Sequence, residues 1–426
     1  AVHPGYGFLS ERSEFNARCR EAGLVFIGPS PEAQATMGVK TSARALAERA
    51  GVPVAPGTAP LEAEEALAAA VKIGYPLLVK AAAGGGGKGM RRVAGTDDLV
   101  EAVRGCRRDA LSSFGDGRVY LERLIERPRH VEIQVLGDSR GNVIYLGERD
   151  CSVQRRHQKV VEETPCVALD PAKRRAMGEA ACALARAVGY ENAGTVEFLL
   201  DPSGKFYFLE MNTRLQVEHP VTELVTGIDV VQAQLRIAEG EPLGIDQESV
   251  RPRGHAIEGR IYAEDPSRGF LPGAGTIERW EEPSGPGVRV DSGVVTGSEV
   301  PVHYDPILAK LVVWAEDRER AIARFLRALD RFTVLGVPTT IPFLRVVLED
   351  ARFREADLST DFVDRVLGGY DGVARACARE VPPREDVLAA FAASRLAARV
   401  AAPAHGREAG DSGSPWQLRD SWSIRR

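Results

Sequence analysis

Five polar side chains follow an apolar strand at every second position. Residues 205–209, Lys-Phe-Tyr-Phe-Leu, lead into Glu210, Asn212, Arg214, Gln216 and Glu218. In an extended chain alternate side chains share a face, so these five would stand in one row. A row of this kind makes a poor core. It offers hard oxygens for a cation, a planar fork for an anion and a carboxylate that can take a proton. The plainer reading, a solvated strand edge, leaves the preceding apolar run unused.

Upstream, Val196-Glu197-Phe198-Leu199-Leu200 and Phe206-Tyr207-Phe208-Leu209-Glu210 flank Asp201-Pro202-Ser203-Gly204, a hairpin with turn residues. Pairing about that turn sets Glu197 opposite or diagonal to Glu210. Two carboxylates facing each other among apolar neighbours repel, and a Mg²⁺ between them removes the conflict. Lysine is scarce: it stands at only eight positions, 40, 72, 80, 88, 159, 173, 205 and 310, among 55 basic residues. Each ammonium is therefore a candidate for meeting a single phosphate oxygen, a task to which arginine is less suited. Lys80 and Lys88 bracket Gly84-Gly85-Gly86-Gly87, with Gly89 after Lys88. A glycine run lets backbone N–H groups approach an anion. It is no Walker A loop, since Gly89 stands where Ser or Thr is needed, and it joins two strands. It reads as a phosphate-covering flap, against the alternative of a plain hairpin tip. The stretch 150–159, Asp-Cys-Ser-Val-Gln-Arg-Arg-His-Gln-Lys, is strongly basic and extended; a lone Arg-Arg-His-Gln-Lys reads equally well as solvated surface.

The elements that must hold these groups alternate between helix and strand. The first 28 residues read as the last helix and strand of an α/β unit. A helix capped at Ser30 is expected to run to about Ala50, with Lys40 inside it. A second helix, 61–74, precedes the strand 77–80; another runs from a Thr96 cap to about Phe114. Strands are expected at 119–125, 130–136 and 143–146, then a helix over 170–190 and, after the hairpin, a mostly helical stretch from Val217 to Gly240. A separate α+β layer, with strands at 255–264, 275–280, 288–292 and 307–313 and helices at 317–332 and 339–351, follows from about residue 254. After Gly368-Gly369 an Ala/Arg-rich helix and the Gly/Ser-bearing stretch 406–414 read as a linker.

At 426 residues, 44% hydrophobic and 27% charged, the chain has the composition of a globular protein of two or three domains. It has no run of about 18 apolar residues, and so no membrane span; a net charge of −5 gives no reason to expect a nucleic-acid partner. The six cysteines, at 19, 106, 151, 166, 182 and 377, form no CxxC pairs, which argues for a reducing compartment.

Together the motifs resemble the biotin carboxylase component of biotin-dependent carboxylases, within the ATP-grasp superfamily, and in particular an acyl-CoA carboxylase α-subunit. The stretches that carry the resemblance are HPGYGFLSE (3–11), MGVK (37–40), LVKAAAGGGGKGMR (78–91), RHVEIQV (129–135), ERDCSVQRRHQKVVEE (148–163), GTVEFL (194–199), FLEMNTRLQVEHPVTE (208–223), EGRIYAEDP (258–266) and YDPILAKL (304–311). They span residues 1 to about 365.

The resemblance implies an ATP-grasp fold of mixed α/β and α+β class. Residues 1–36 would be the last part of a Rossmann-like N-terminal domain whose start is not in this sequence. Residues 37–240 would be the ATP-grasp domain with a lid at about 52–125, residues 254–367 the C-terminal domain, and residues 368–426 a linker towards a carrier-contacting region. It implies ATP, Mg²⁺ or Mn²⁺, bicarbonate and biotin borne on a separate carboxyl carrier domain. The reaction is ATP-dependent formation of carboxyphosphate from bicarbonate, then transfer of the released CO₂ to a biotin ureido nitrogen. The alternative readings are another ATP-grasp ligase that phosphorylates bicarbonate, such as a carbamoyl-phosphate synthetase half, or an inactive nucleotide-binding remnant.

By that resemblance Lys40, Lys80, Gly84, Gly85, Gly86, Gly87, Lys88 and Gly89 hold phosphates. Glu122 and Ile125 sit at the adenine hinge, and His130, Gln154 and His157 line the nucleotide pocket. Glu197, Glu210 and Asn212 bind the metals. Lys159, Arg214, Gln216 and Val217 surround bicarbonate, with Glu218 as its base, and Arg260 and Tyr6 meet biotin. Gly259 stands between Glu258 and Arg260 where family members often carry Cys. The implied partners are a carrier domain, a carboxyltransferase subunit and a second copy of the chain, in a bacterial-like cytoplasm.

Overall fold

An eight-stranded sheet carries His130, Gln154, Lys159, Glu197, Glu210, Asn212 and Arg260. The computed structural model describes residues 1–61, 63–82, 90–380 and 384–401. Its main-sheet strands are β4 (Arg129–Gly137), β5 (Val143–Arg155), β6 (Gln158–Thr164), β7 (Asn192–Leu200), β8 (Phe206–Asn212) and β9 (His255–Tyr262), with Val288–Ser292 and Ile307–Ala315. From one edge the order is 288–292, 307–315, β9, β6, β5, β4, β7, β8. The strands of the C-terminal part are therefore not a separate layer, as the sequence suggested. β9 pairs with β6, Glu162 opposite Glu258, and the sheet runs on through it.

A smaller sheet, in the order β2-β1-β3 from β1 (Leu77–Ala81), β2 (Met90–Val93) and β3 (Val119–Arg123), packs under helices α4 (Ala63–Ile73) and α5 (Leu99–Phe114) around a core of its own. The glycine run joins β1 to β2, which pair antiparallel. Gly84, Gly85, Gly86, Gly87, Lys88 and Gly89 lie outside the described residues, as does everything after Ala401.

Several expected elements differ. The helix expected from Ser30 to Ala50 is two, α2 (Pro31–Gly38) and α3 (Lys40–Arg49), broken at Val39, which is extended at φ −100° and ψ 109°. Gly38 and a β-branched residue are poor helix formers in sequence. The break makes Lys40 the first residue of α3 instead of an interior one. Thr96 opens a short 3₁₀ turn before α5 and does not cap it. The basic stretch before Lys159 is a β5–β6 hairpin, turning through Arg156 and His157 in left-handed conformation, φ 50° and 66°. The helix expected over 217–240 is interrupted by Gly227, at φ 73°, into α7 (His219–Thr226) and α8 (Val230–Ala238). The row from Glu210 stays in a strand only to Asn212; residues 213–218 turn.

Helix α6 (Pro171–Ala187) covers β4 and β5, while α7 lies over β5, β6, β9 and 307–315. Beyond Leu367 the chain does not leave the core at once: the helix Gly369–Glu380 contributes buried Val373 and Cys377 to it. A second unit begins at Arg379, in the last turn of that helix, and includes the helix Arg384–Ala401.

Candidate active site

The β7–β8 hairpin pairs Glu197 directly with Glu210, as its turn residues imply. Both open onto a cavity of about 530 Å³ between the two sheets. Lys40, Lys80, Glu122, Ile125, His130, Gln154, His157, Lys159, Asn212, Arg214, Gln216, Val217 and Arg260 also line it; Glu218 lies just behind, buried beneath Lys159 and Arg260. Tyr6 does not line it; its ring lies 5.7 Å from Lys310 Nζ, and Lys310 is the register partner of Arg260.

Two lysines mark one end. Lys40 and Lys80 face a small recess with Glu122 and Glu210. Burial lowers the Lys40 pKa, and Lys80 adds to this against the pull of Glu210. Two ammonium groups crowded in this way, one at a helix N-terminus, fit an anion. Glu122 is engaged by Lys80 and, at 3.4 Å, by Arg44.

A buried charge network marks the other end. Lys159 Nζ donates to Glu197 Oε1 at 2.7 Å, to Glu218 Oε1 at 2.7 Å and to Glu132. Burial opposes its charge, but Glu132, Glu197 and Glu218 hold its pKa well above the ordinary value. Arg260 bridges Glu162, at 2.6 Å from Nε, and Glu218 Oε2, at 2.9 Å from Nη2. Burial works against the Glu218 carboxylate as well, yet Lys159, Arg260 and Arg149 hold its pKa well below the usual range. Glu218 is thus a base kept ionised between two cations, at the N-cap of α7, where the helix dipole also favours negative charge.

The residues meant for a metal fit a hard divalent cation. Glu197, Glu210 and Asn212 offer carboxylate and amide oxygens on adjoining strands. Burial and then Glu197 raise the Glu210 pKa, whereas Lys159 and His130 hold Glu197 well below the usual range against its burial, so Glu210 is the member of the pair that an added cation would relieve. His130, Glu132 and Glu197 also bring ligand atoms within 4.8 Å of one another. The Lys159 ammonium already occupies that cluster and Glu132 is committed to Arg149, so it is an ion-pair network. Arg214 donates to Gln216 Oε1 at 2.9 Å and to Asn212 Oδ1 at 3.1 Å, and is backed by Glu11 at 3.3 Å.

Sequence reasoning missed the supports. Arg149, fully buried, joins Glu132 to Gln134, Thr195 and Thr222. Glu162 holds Arg260. Thr360 reaches the cavity from a segment far along the chain. The alternating Glu132, Gln134 in a strand was the visible signal for the first; nothing local marked Thr360.

Three family models match consecutive parts of the chain: the biotin carboxylase N-terminal domain over residues 1–34, the carbamoyl-phosphate synthase L chain ATP-binding domain over 39–246, and the biotin carboxylase C-terminal domain over 258–365. Biotin carboxylase from Nostoc sp. is 51% identical over 368 residues, 86% of this chain and 82% of that protein. The chain belongs to the biotin carboxylase family. The mitochondrial propionyl-CoA carboxylase alpha chain of Homo sapiens is 52% identical over 378 residues, 87% of this chain but only 52% of that one. Among solved structures, the biotin carboxylase domain dimer of Hydrogenobacter thermophilus 2-oxoglutarate carboxylase, in complex with MgADP, ADP and bicarbonate, superposes with a TM-score of 0.82. It is 47% identical, covering 85% of this chain and 81% of that one. An ATP-grasp biotin carboxylase fold is thereby established, and with it a carboxylase ligase related to subunits of larger carboxylases. Among the described residues no helix is long and apolar enough to cross a membrane.

Proposed function

We propose that this chain carboxylates biotin borne on a carrier domain, using ATP and bicarbonate, as the first half-reaction of an acyl-CoA carboxylase. The observation that carries the reading is Glu218, held ionised between Lys159 and Arg260 just behind the end of the cavity opposite Lys40 and Lys80.

Lys40 and Lys80 would hold the phosphates, with the segment 84–89 over them; Glu122, Ile125, His130, Gln154 and His157 would hold the rest of the nucleotide. Glu197, Glu210 and Asn212 would hold Mg²⁺, which supplies charge neutralisation for phosphoryl transfer. Lys159, Arg214, Gln216 and Val217 would orient bicarbonate, with the arginine fork matching its planar oxygens. Glu218 takes the bicarbonate proton as the bicarbonate oxygen attacks the γ-phosphorus and ADP leaves. The resulting carboxyphosphate breaks down to CO₂ and phosphate. The released phosphate takes the ring N–H proton, Arg260 stabilises the charge that develops on the ureido oxygen, and the ring nitrogen captures CO₂. Tyr6, beside Lys310, is the proposed outer contact of biotin.

The carboxyl carrier domain, a carboxyltransferase subunit and a second copy of the chain are the proposed partners. Six buried free cysteines support a reducing cytoplasm. We read residues 1–36, 37–240 with a lid at 52–125, 254–367 and 368–426 as the N-terminal, ATP-grasp, C-terminal and linker parts. A carbamoyl-phosphate synthetase half is disfavoured by the C-terminal part, which supplies Arg260. The test is ATP hydrolysis with and without bicarbonate, followed by carboxylation of free biotin. Bicarbonate-stimulated hydrolysis and labelled carboxybiotin are expected; hydrolysis indifferent to bicarbonate overturns the proposal.

A further inference from the structure

Glu258 is a buried acid with no assigned task. It is fully buried on β9, two residues before Arg260 and on the same face. Neither of its carboxyl oxygens has a hydrogen-bond partner among the described residues. Directly opposite, on β6, stands Glu162, also fully buried. Glu162 Oε1 accepts from Arg260, but its Oε2 likewise has no partner. Side chains directly opposite in an antiparallel pair have Cβ atoms about 5 Å apart, within reach of each other. A carboxylate buried without partners is costly, and two facing ones are costlier still.

The surrounding charges do not relieve this. On β9, Arg260 is already shared between Glu162 and Glu218. On the strand 307–315, Lys310 donates to the Val217 carbonyl at 2.5 Å and pairs with Asp291 at 3.3 Å. Lys159 of β6 and Arg149 of β5 are committed to Glu132, Glu197 and Glu218. His219, at the start of α7, is held neutral, its pKa lowered to about 3 by burial and then by Lys310. Elsewhere on α7, buried Val221 and Val225 pack against Val312, Thr222 accepts from Arg149, and Glu223 is paired with Arg289.

We propose that Glu258 is carried as the neutral acid and donates its O–H to the free oxygen of Glu162, and that this shared proton positions Glu162 and Arg260 at the biotin end of the cavity. Arg260 then meets one ionised carboxylate, Glu218, and one carboxyl pair with a single negative charge. The pKa directions agree: burial, then Glu162 against the pull of Lys310, raises Glu258 well above the carboxylate range, and burial pushes Glu162 up to about 7. Glu258 is a positioning residue that acts through Arg260; its role rests on the carboxylase reading above.

The test uses the full chain and its Glu258→Gln and Glu258→Leu variants. The neutral amide can still donate to Glu162, and leucine cannot. Infrared difference spectra at pH 8, native minus Glu258→Gln, should show the carbonyl band of a protonated carboxyl group. That measurement needs no activity, so it separates failure of this inference from failure of the carboxylase reading. In the carboxylation of free biotin, Glu258→Leu should lose at least about tenfold, since displacing a positioned group by about 1 Å can cost roughly 10²-fold. Glu258→Gln should restore most of that loss and move the alkaline limb of the pH profile upward, because its side chain cannot ionise. Bicarbonate-dependent ATP hydrolysis should change less than carboxylation in both. Absence of the band, or a Glu258→Gln variant as impaired as Glu258→Leu with an unmoved alkaline limb, overturns the inference.

Discussion

Replacing Arg260 with alanine probes both half-reactions at once. Arg260 is about nine-tenths buried and bridges two fully buried carboxylates, Glu162 at 2.6 Å and Glu218 at 2.9 Å. Removing one member of a buried ion pair typically costs 3–5 kcal/mol, roughly, because the remaining charge is left uncompensated. At about 2 °C per kcal/mol for a large domain, the melting temperature should fall by about 6–10 °C. Biotin carboxylation loses a donor to the developing oxyanion and should fall roughly 10²–10³-fold. Glu218 keeps Lys159 at 2.7 Å and the field of Arg149, so it stays ionised. Bicarbonate-dependent ATP hydrolysis should therefore fall by no more than about tenfold, one 1.4 kcal/mol step. Adding Glu162→Gln to Arg260→Ala removes the orphaned anion and should recover much of the melting temperature but none of the carboxylation. The assays are calorimetry, ATP hydrolysis with bicarbonate alone and labelled carboxylation of free biotin across this cycle. If both rates fall in parallel and the double variant restores both, the arginine serves only the fold, and its role at biotin is wrong.

Three further outcomes follow from the same geometry. Glu197→Gln and Glu210→Gln should each raise the Mg²⁺ concentration for half-maximal ATP hydrolysis by at least about tenfold, by loss of a hard charged ligand; an unchanged Mg²⁺ titration in both would remove them from the metal site. Glu163 is fully buried with its pKa lowered to about 2, burial opposing and the bonds from His255 and Arg318 prevailing. Its stabilisation is present above the unfolded carboxylate pKa, near 4.5, and is lost as pH falls towards 2. Glu163→Gln should thus cost up to about 3 kcal/mol in urea unfolding at pH 7, with the gap to the native chain narrowing below pH 4.5; a gap constant with pH refutes the linkage. Tyr370 lies 4.7 Å beneath the Arg156 guanidinium, at the turn that presents His157 to the cavity. A cation–π contact is worth about 0.5–1 kcal/mol at such a site, so Tyr370→Ala should raise the KM for ATP about two- to fivefold. An effect on kcat with KM unmoved would place the residue elsewhere in the mechanism.

Much of the site was legible because its residues are local in sequence. The hairpin turn 201–204 fixes the register that sets Glu197 against Glu210, and turn chemistry is a short-range property. The strand alternation that grouped Glu210 to Glu218 failed after Asn212, yet those side chains still converge on Lys159 and Glu197 through turns that periodicity does not describe. Helix breaks at Val39 and Gly227 were missed for a similar reason. A single residue decides them, while a periodic pattern spans both sides.

The sequence alone determined which chemistries were available: hard oxygen ligands on a hairpin, scarce lysines beside a glycine run, and a base in the stretch after the strand. It also determined the family, because spaced motifs recur across the chain. Only the tertiary structure decided which charges meet. β9 inserts beside β6 and brings Arg260 onto Glu162 and Glu218, about 98 and 42 residues away in sequence. It also sets two acids, Glu162 and Glu258, face to face without a cation to spare, and buries Arg149 beneath the base. Each of these is a cross-strand or cross-layer contact between distant segments. Their energies depend on burial, which no local pattern of residues specifies.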